Sequence, residues 1–200
     1  MDVKMKLPVI TISREYYAGG RSIARRLSEA LNIPWYDNDL AKLASKISGY
    51  SEAEVLDEGE EIGKLENAIE MILRGANFYT SSHDEINLAQ KDAVLELAKE
   101  PCIIVGRGAN VILKQSRIPS FDVFLHANID IRIERTMKDR GIDLLEAKKF
   151  LEKHDSFREL YYKKYMGKDY GDSREYSICL DTGLIDYDKC SEVILSLLNR

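Results

Sequence analysis

The sequence is poor in cysteine, proline and tryptophan, lacks an excess of positive charge, and has no apolar run of membrane-spanning length. Its three cysteines, Cys102, Cys179 and Cys190, form no CxxC pair and are odd in number. A disulfide framework is therefore not expected, and two of the thiols lie in apolar runs where reduced, buried cysteines belong. No stretch approaches the roughly 20 apolar residues that span a bilayer. The opening residues, MDVKMKLP, lack the apolar segment of a signal peptide, so the expectation is a cytoplasmic protein with no membrane partner. A net charge of −5 argues against a surface that coats nucleic acid. No His/Cys/Asp spacing suggests a zinc site, and no Ser-His-Asp order suggests a hydrolase. What is present is 44% apolar and 32% charged sequence, enough to bury a core and keep the chain soluble, which excludes disorder. Two hundred residues suit one compact domain with an insertion better than two separate cores.

Along the chain, Leu7 to Ser13 (LPVITIS) reads as a short buried strand. A helical pattern follows, with Ile23, Ala24, Leu27, Ala30 and Leu31 on one face and Asn32 and Pro34 as its stop. Trp35 to Asp37 is a brief extended segment, followed by a helix from about Leu40 to Ile47. From Ser51 to Glu100 strand signals vanish. Ser51 with Glu54 and Ser82 with Glu85 resemble capping boxes. Leu65, Ile69, Ile72 and Leu73 mark one amphipathic helix, and Ile86, Ala89, Ala93 and Leu97 another. Fifty helical residues exceed what a crossover needs, so a helical insertion is expected, with its aromatic and Met content as core or self-association surface. Strands return at Pro101–Gly106, Phe121–Leu125 and Tyr176–Leu180. Helical patterns cover Asn110–Lys114, Asp130–Arg140 (with Gly141 as stop), Asp143–Tyr165 (with Asp143 and Glu146 as start) and Tyr187–Leu198. Almost wholly apolar strands alternating with helices imply a parallel sheet covered on both faces.

The turn after the first strand, REYYAGGRS, carries most of the chemistry. In a phosphate-binding loop, GxxxxGK(S/T) joins a strand to a helix; backbone amides and the helix N-terminus cradle phosphate oxygens, and the Ser/Thr hydroxyl holds Mg2+. Aligning Gly20-Arg21-Ser22 with GK(S/T) puts Glu15 at the first glycine and Arg21 in place of the lysine. The guanidinium is a planar fork rather than a compact charge. Glu15 would bring a carboxylate towards the phosphates unless Arg14 or another cation compensates it. On the glycines alone, Gly19-Gly20 reads equally well as a tight strand-to-helix turn.

Charged residues also gather at the carboxyl ends of the inferred strands, where open α/β sheets bind ligands. Asp37 follows the second strand, Gly106-Arg107 the third and Asp181-Thr182 the last. Arg132 and Arg135 share a helix face, and Asp155 and Arg158 lie in the polar helical stretch before the last strand. A lone arginine is ordinarily solvated surface, but several around a glycine turn suit phosphoryl transfer. His126 reads as a structural histidine, His154 as solvated surface and His83 as part of a helix start. Tyr161, Tyr162, Tyr165 and Tyr170 read as packing under the last strand.

The segment ITISREYYAGGRSIARRLSEALNIPWYDNDL resembles the opening of the cytidylate kinase-like family, whose loop reads like Q/E-Y-G-S-G-G-R-E, so that Arg21 is a family feature. VGRGANVIL and RELYYKKYMGKDYGDSREYSICLDTGLI resemble two further signatures of that family. The resemblance implies ATP and Mg2+ as cofactors and a nucleoside monophosphate as partner. It implies that Arg107 grips the acceptor phosphate, that Asp155 and Arg158 form a D-x-x-R element for the acceptor's sugar and phosphate, and that Asp37 lies near the nucleoside pocket. Arg132 and Arg135 parallel phosphate contacts near the lid, and Thr182 borders the adenine site. Tyr17 departs from the family's Gly, while Ala18 stands where the family has Ser or Ala; Leu151 and His154 stand where authentic cytidylate kinases carry further arginines.

The expected fold is thus α/β, a P-loop NTPase three-layer sandwich: a five-stranded parallel sheet with a helical NMP-binding insertion and a lid. The expected single domain has its core at 1–37, 101–137 and 159–200, the insertion at 38–100 and the lid at 138–158. The expected reaction is ATP-dependent phosphoryl transfer to CMP or dCMP. Backbone amides from Tyr17, Ala18, Gly19, Gly20, Arg21 and Ser22 would hold the donor, and Ser22 the metal. Rival readings are a kinase for another small acceptor, a nucleotide sensor with little turnover, and a structural helical oligomer built through residues 51–100.

Overall fold

The computed structural model describes residues 9–37, 42–46, 49 and 82–198. Five parallel strands form one sheet: β1 (Val9–Arg14), β2 (Trp35–Tyr36), β3 (Ile103–Val105), β4 (Ser120–His126) and β5 (Ile178–Asp181), in the order β2-β3-β1-β4-β5. β1 is central, with Ile12 beside Val105 of β3 and beside Val123 of β4. Its residues from Val9 to Ser13 are apolar or hydroxylic and buried, because both faces are covered, and Arg14 ends the strand half-buried.

Six helices cover the sheet among the described elements: α1 (Gly20–Leu31), α2 (Ser82–Leu97), α3 (Ala109–Gln115), α4 (Ile129–Arg140), α5 (Leu144–Tyr161) and α6 (Tyr187–Leu198). A further helical stretch covers 42–46. On one face, Ile10 and Ile12 meet Ile23, Ala24 and Leu27 of α1 and Ile194 of α6 in a single core. Fully burying a Leu or Ile contributes about 1.5–3 kcal/mol, so Ile23 and Leu27 anchor α1 beneath the glycine turn. On the other face, Ile104 and Val9 pack with α2 and α3, joined by Tyr162 and Met166. The expected three layers and five parallel strands are present.

Local signals account for the element ends. Asn32 adopts the left-handed conformation (φ 53°) and closes α1, its N–H donating to Ser28 O. Asn128 caps α4 by accepting from Asp130 N at 2.9 Å, and Gly141 ends it at φ 67°. Asp143 and Glu146 make the capping box expected for α5. The stretch expected to be one helix to Tyr165 instead ends at Tyr161 and widens into a π-type turn over Tyr162–Met166. That turn delivers Tyr162 and Met166 into the core, and Met166 lies against Gly108. Ser51, Glu54 and the helix marked by Leu65 to Leu73 lie outside the described residues, as does most of the expected self-association surface. No helix among the described residues is long and apolar enough to cross a membrane.

Candidate active site

The chain leaves β1 at Arg14 and turns back into α1 through Glu15–Gly19. Tyr17 (φ 61°) and Gly19 (φ 85°) are left-handed, and Gly19 is the N-cap of α1 with no side chain capping the helix. A Cβ on Gly19 would lie 2.3 Å from the Tyr187 ring, so only glycine fits there. The first amides of an α-helix have no carbonyl partner within it, so Gly20, Arg21 and Ser22 present the positive end of α1 at the sheet's carboxyl edge. Ala18 sits differently from expectation: it is fully buried and its N–H donates back to Glu15 O at 3.2 Å. The amide of Tyr16 is taken by Asp155 Oδ1 at 2.9 Å. Of the turn's amides those of Tyr16 and Ala18 are thus engaged within the protein, and Gly19 to Ser22 stand at the mouth of the helix. Glu15 points away from the cup. Its Oε2 accepts from Ala127 N at 3.1 Å and lies 3.3 Å from Arg132 Nε, so the carboxylate is balanced by Arg132, not Arg14.

Beside the glycine turn lies a cleft of about 120 Å3 above β1 and β3. Among the described residues four guanidiniums line it, those of Arg14, Arg21, Arg107 and Arg158, against one carboxylate, that of Asp37. Arg107 enters through the Gly106–Gly108 turn, in which all three residues have positive φ. Arg158 donates to Arg14 O at 2.8 Å and stacks on the Tyr16 ring at 4.5 Å. Burial, and Arg14 nearby, lower the Arg158 pKa from its ordinary value. Asp37 accepts from Arg21 Nε at 2.5 Å and from Arg14 Nη2 at 3.4 Å. Sequence reasoning brought Asp37, Arg107, Arg158 and the turn to one place, and they do meet here.

Arg132 and Arg135 occupy the other side of the turn. Arg132 is buried, donating to Ala127 O at 3.1 Å and Tyr16 O at 3.4 Å and pairing with Asp155 and Glu15. Arg135 donates to Tyr17 O at 3.1 Å and to Thr182 O at 2.6 Å, and lies over the Tyr187 ring. Thr182 is buried and ties β5 to β4 through His126 O. Expected to face phosphate, Arg132 is instead enclosed by two carboxylates and two carbonyls, while Asp155 braces the turn. A buried guanidinium needs this many acceptors to remain charged.

The segment expected as the lid packs onto the turn through aromatic rings. Tyr16 stacks on His154 at 4.5 Å, and His154 contacts Phe150 at 4.2 Å. Tyr17 packs with Leu151, Ile133 and Ala147, and its hydroxyl donates to Asp139 at 2.6 Å. Burial and that carboxylate push the Tyr17 pKa up to about 12. His154 is thus half-buried in a ring cluster, not solvated surface. Tyr162 bonds Ser13 at 3.0 Å and Asn110 at 2.6 Å, and the Tyr170 hydroxyl bonds Arg14 O at 2.5 Å, so these tyrosines frame the cleft floor as well as the core. Arg14, His154, Tyr170 and Tyr187 are site residues that sequence reasoning did not select. Only the position of Arg14, last in β1 and next to the turn, could have signalled one of them.

Among the described residues no three His, Cys, Asp or Glu side chains converge to hold a metal. Mg2+ keeps most of its waters and takes one or two protein ligands alongside phosphate oxygens. The Ser22 hydroxyl, in the first turn of α1, fits that limited role.

The comparisons with known proteins bear on the family and the fold. A model of the cytidylate kinase-like family matches residues 9–184. The chain is 31% identical over 160 residues to a cytidylate kinase of Thermoplasma volcanium, covering 78% of this chain and 80% of that one. It is 27% identical over 158 residues to a cytidylate kinase of Thermoplasma acidophilum, covering 78% and 81%. Among solved structures, an uncharacterized protein from Eubacterium ventriosum matches with a TM-score of 0.69 at 27% identity, over 96% of this chain and 98% of that one. A shikimate kinase from Bacteroides thetaiotaomicron matches over 96% and 99% with a TM-score of 0.56; at 14% identity it shows the shared fold alone. With its glycine turn at the mouth of α1 and its family match from Val9 to Leu184, the chain is a phosphotransferase that belongs to the cytidylate kinase-like family.

Proposed function

We propose that the protein transfers the γ-phosphoryl group of ATP to a nucleoside monophosphate, with CMP or dCMP as acceptor. The observation that carries this reading is the arginine-lined cleft beside the glycine turn. Amides of Gly19, Gly20, Arg21 and Ser22 hold the donor's β- and γ-phosphates, with Arg21 neutralising them from the rim and Ser22 as the metal ligand. Bound Mg2+ would supply further charge neutralisation on those phosphates. Arg107 and Arg158 fix the acceptor's phosphate, and Asp37 orients the arginines on its donor-facing side. Arg135 and Thr182 border the donor's base. Arg132 acts through position, holding Glu15 and Asp155 so that the turn keeps its shape. No general base is needed, because a phosphate monoester acceptor is already ionised; catalysis lies in alignment and charge. Closure of 138–158 over the turn would exclude water and limit hydrolysis.

A coupled ADP-release assay across nucleoside monophosphates tests the reading. Turnover is expected with CMP and dCMP ahead of AMP, GMP and UMP. Turnover confined to a non-nucleotide acceptor would move the acceptor class. Tight ATP binding with no turnover on any acceptor would make the protein a sensor.

A further inference from the structure

We propose that Arg14, and not the residue aligned with the usual P-loop lysine, is the principal cation on the phosphoryl group in flight, bridging donor and acceptor phosphates. This assignment rests on the phosphotransferase reading and adds a catalytic residue to it. Arg21, at the lysine's position, has 64% of its side chain exposed, whereas Arg14 has 17%. Charge–phosphate attraction grows as water is removed from around the pair, so the enclosed guanidinium acts more strongly than the exposed one.

The path of Arg14 is what links the two halves of the site. Its Cγ would lie 2.9 Å from a Cβ on Gly20, at the mouth of α1, and its Nη1 2.2 Å from a Cβ on Gly106, at the start of the Arg107 turn. The side chain therefore runs from the donor cup to the acceptor turn, across the gap where the γ-phosphoryl must travel. Any side chain at either glycine would take that space. The backbone of Arg14 is clamped as well: its carbonyl accepts from Arg158 and from the Tyr170 hydroxyl, and its N–H donates to the same hydroxyl at 3.1 Å. Its head is held by Asp37 at 3.4 Å, long enough for a phosphate oxygen to compete for it. In the reaction an acceptor phosphate oxygen bonds to Pγ as the bond from Pγ to the β–γ bridging oxygen breaks, and ADP departs with that electron pair. Arg14 gives up no proton; it holds oxygens on both sides of the shift. Burial first, and then the Arg14 neighbour, lower the Arg158 pKa, as two enclosed cations close together would.

The test compares Arg14→Gln, Arg14→Lys and Arg21→Gln in steady-state kinetics with ATP and CMP, with thermal unfolding to verify folding and calorimetry for ATP and AMP binding. Arg14→Gln is expected to lower kcat about a thousandfold and Arg21→Gln about tenfold or less, by comparison with losses of similar transition-state contacts. Arg14→Lys is expected to recover only part of the loss, because it lacks the two-pronged donor. A folded Arg14→Gln that turns over better than Arg21→Gln would overturn the assignment; if Arg14→Gln does not fold, an Arg14→Lys variant with wild-type kcat would overturn it. Failure of the wild-type chain to phosphorylate any nucleoside monophosphate would sink the acceptor reading alone. In that case weaker binding of ATP, but not of AMP, by the folded Arg14 variants would still support the assignment, and unchanged ATP binding would remove it.

Discussion

The two sides of the glycine turn use the same residue type to opposite ends. Over β1 and β3, Arg14, Arg21, Arg107 and Arg158 line a cleft where, among the described residues, the one carboxylate is that of Asp37. Over β4 and β5, Arg132 and Arg135 are committed to Glu15, Asp155 and the carbonyls of Tyr16, Tyr17, Ala127 and Thr182. One side keeps positive charge facing a space the size of a small ligand fragment; the other spends it on holding the loop. An arginine near a strand end is therefore not evidence of a phosphate site until its acceptors are known.

The sharpest way to break this contrast is to remove one arginine from each side. Arg132→Met leaves Glu15 and Asp155 beside each other without their counter-ion, and stability is expected to fall by about 3–5 kcal/mol in a denaturant melt. An Arg132→Met protein that melts like the wild type would show that the enclosed side is not structural. Arg107→Ala should behave in the reverse manner. It is expected to leave the melt within about 0.5 kcal/mol while lowering kcat/KM for CMP about a hundredfold, the loss of charged hydrogen bonds to a phosphate. An unchanged acceptor profile would take Arg107 out of the site.

The smallest effect concerns the bond between the turn and α4. Tyr17, raised to about 12 by burial and by Asp139, favours its neutral form in the folded state. Its contribution to stability is thus present below about pH 10 and lost as the pH rises through about 12. Tyr17→Phe is expected to be less stable than the wild type by about 0.5–1 kcal/mol or less at neutral pH, since the bond is solvent-exposed. That difference should shrink between pH 10 and 12, as followed by circular dichroism. A gap that stays constant would mean that the hydroxyl contributes nothing as a donor.

Much of the frame was legible from residue patterns. The start of α6 at Tyr187, the Asp143–Glu146 capping box and the Gly141 stop depend on neighbours within a few positions, and the structure has them as read. The site was legible as a neighbourhood: the turn, Asp37, Arg107 and Arg158 all meet, because open parallel sheets gather strand ends along one edge. What several of the side chains do there depends on partners far away in the chain. Glu15 looked like a threat to phosphate binding, yet it turns towards Ala127 N and Arg132, 112 residues from the former. His154 looked solvated because Tyr16, the ring it stacks on, reaches it only when α5 folds over the turn, beside Phe150 one helical turn away. Arg14 read as a counter-ion for its neighbour Glu15, whereas its side chain crosses to Gly106.

The central claim is that phosphates occupy the space between the mouth of α1 and the Gly106–Gly108 turn. A crystal structure with a bisubstrate inhibitor, adenosine and cytidine joined through a chain of phosphates, tests it most directly. The expected density runs from the amides of Gly19 to Ser22, past the Arg14 guanidinium, to Arg107 and Arg158. Phosphates seated instead in the separate cavity over β4 and β5, beside His126 and Asp181, would contradict it.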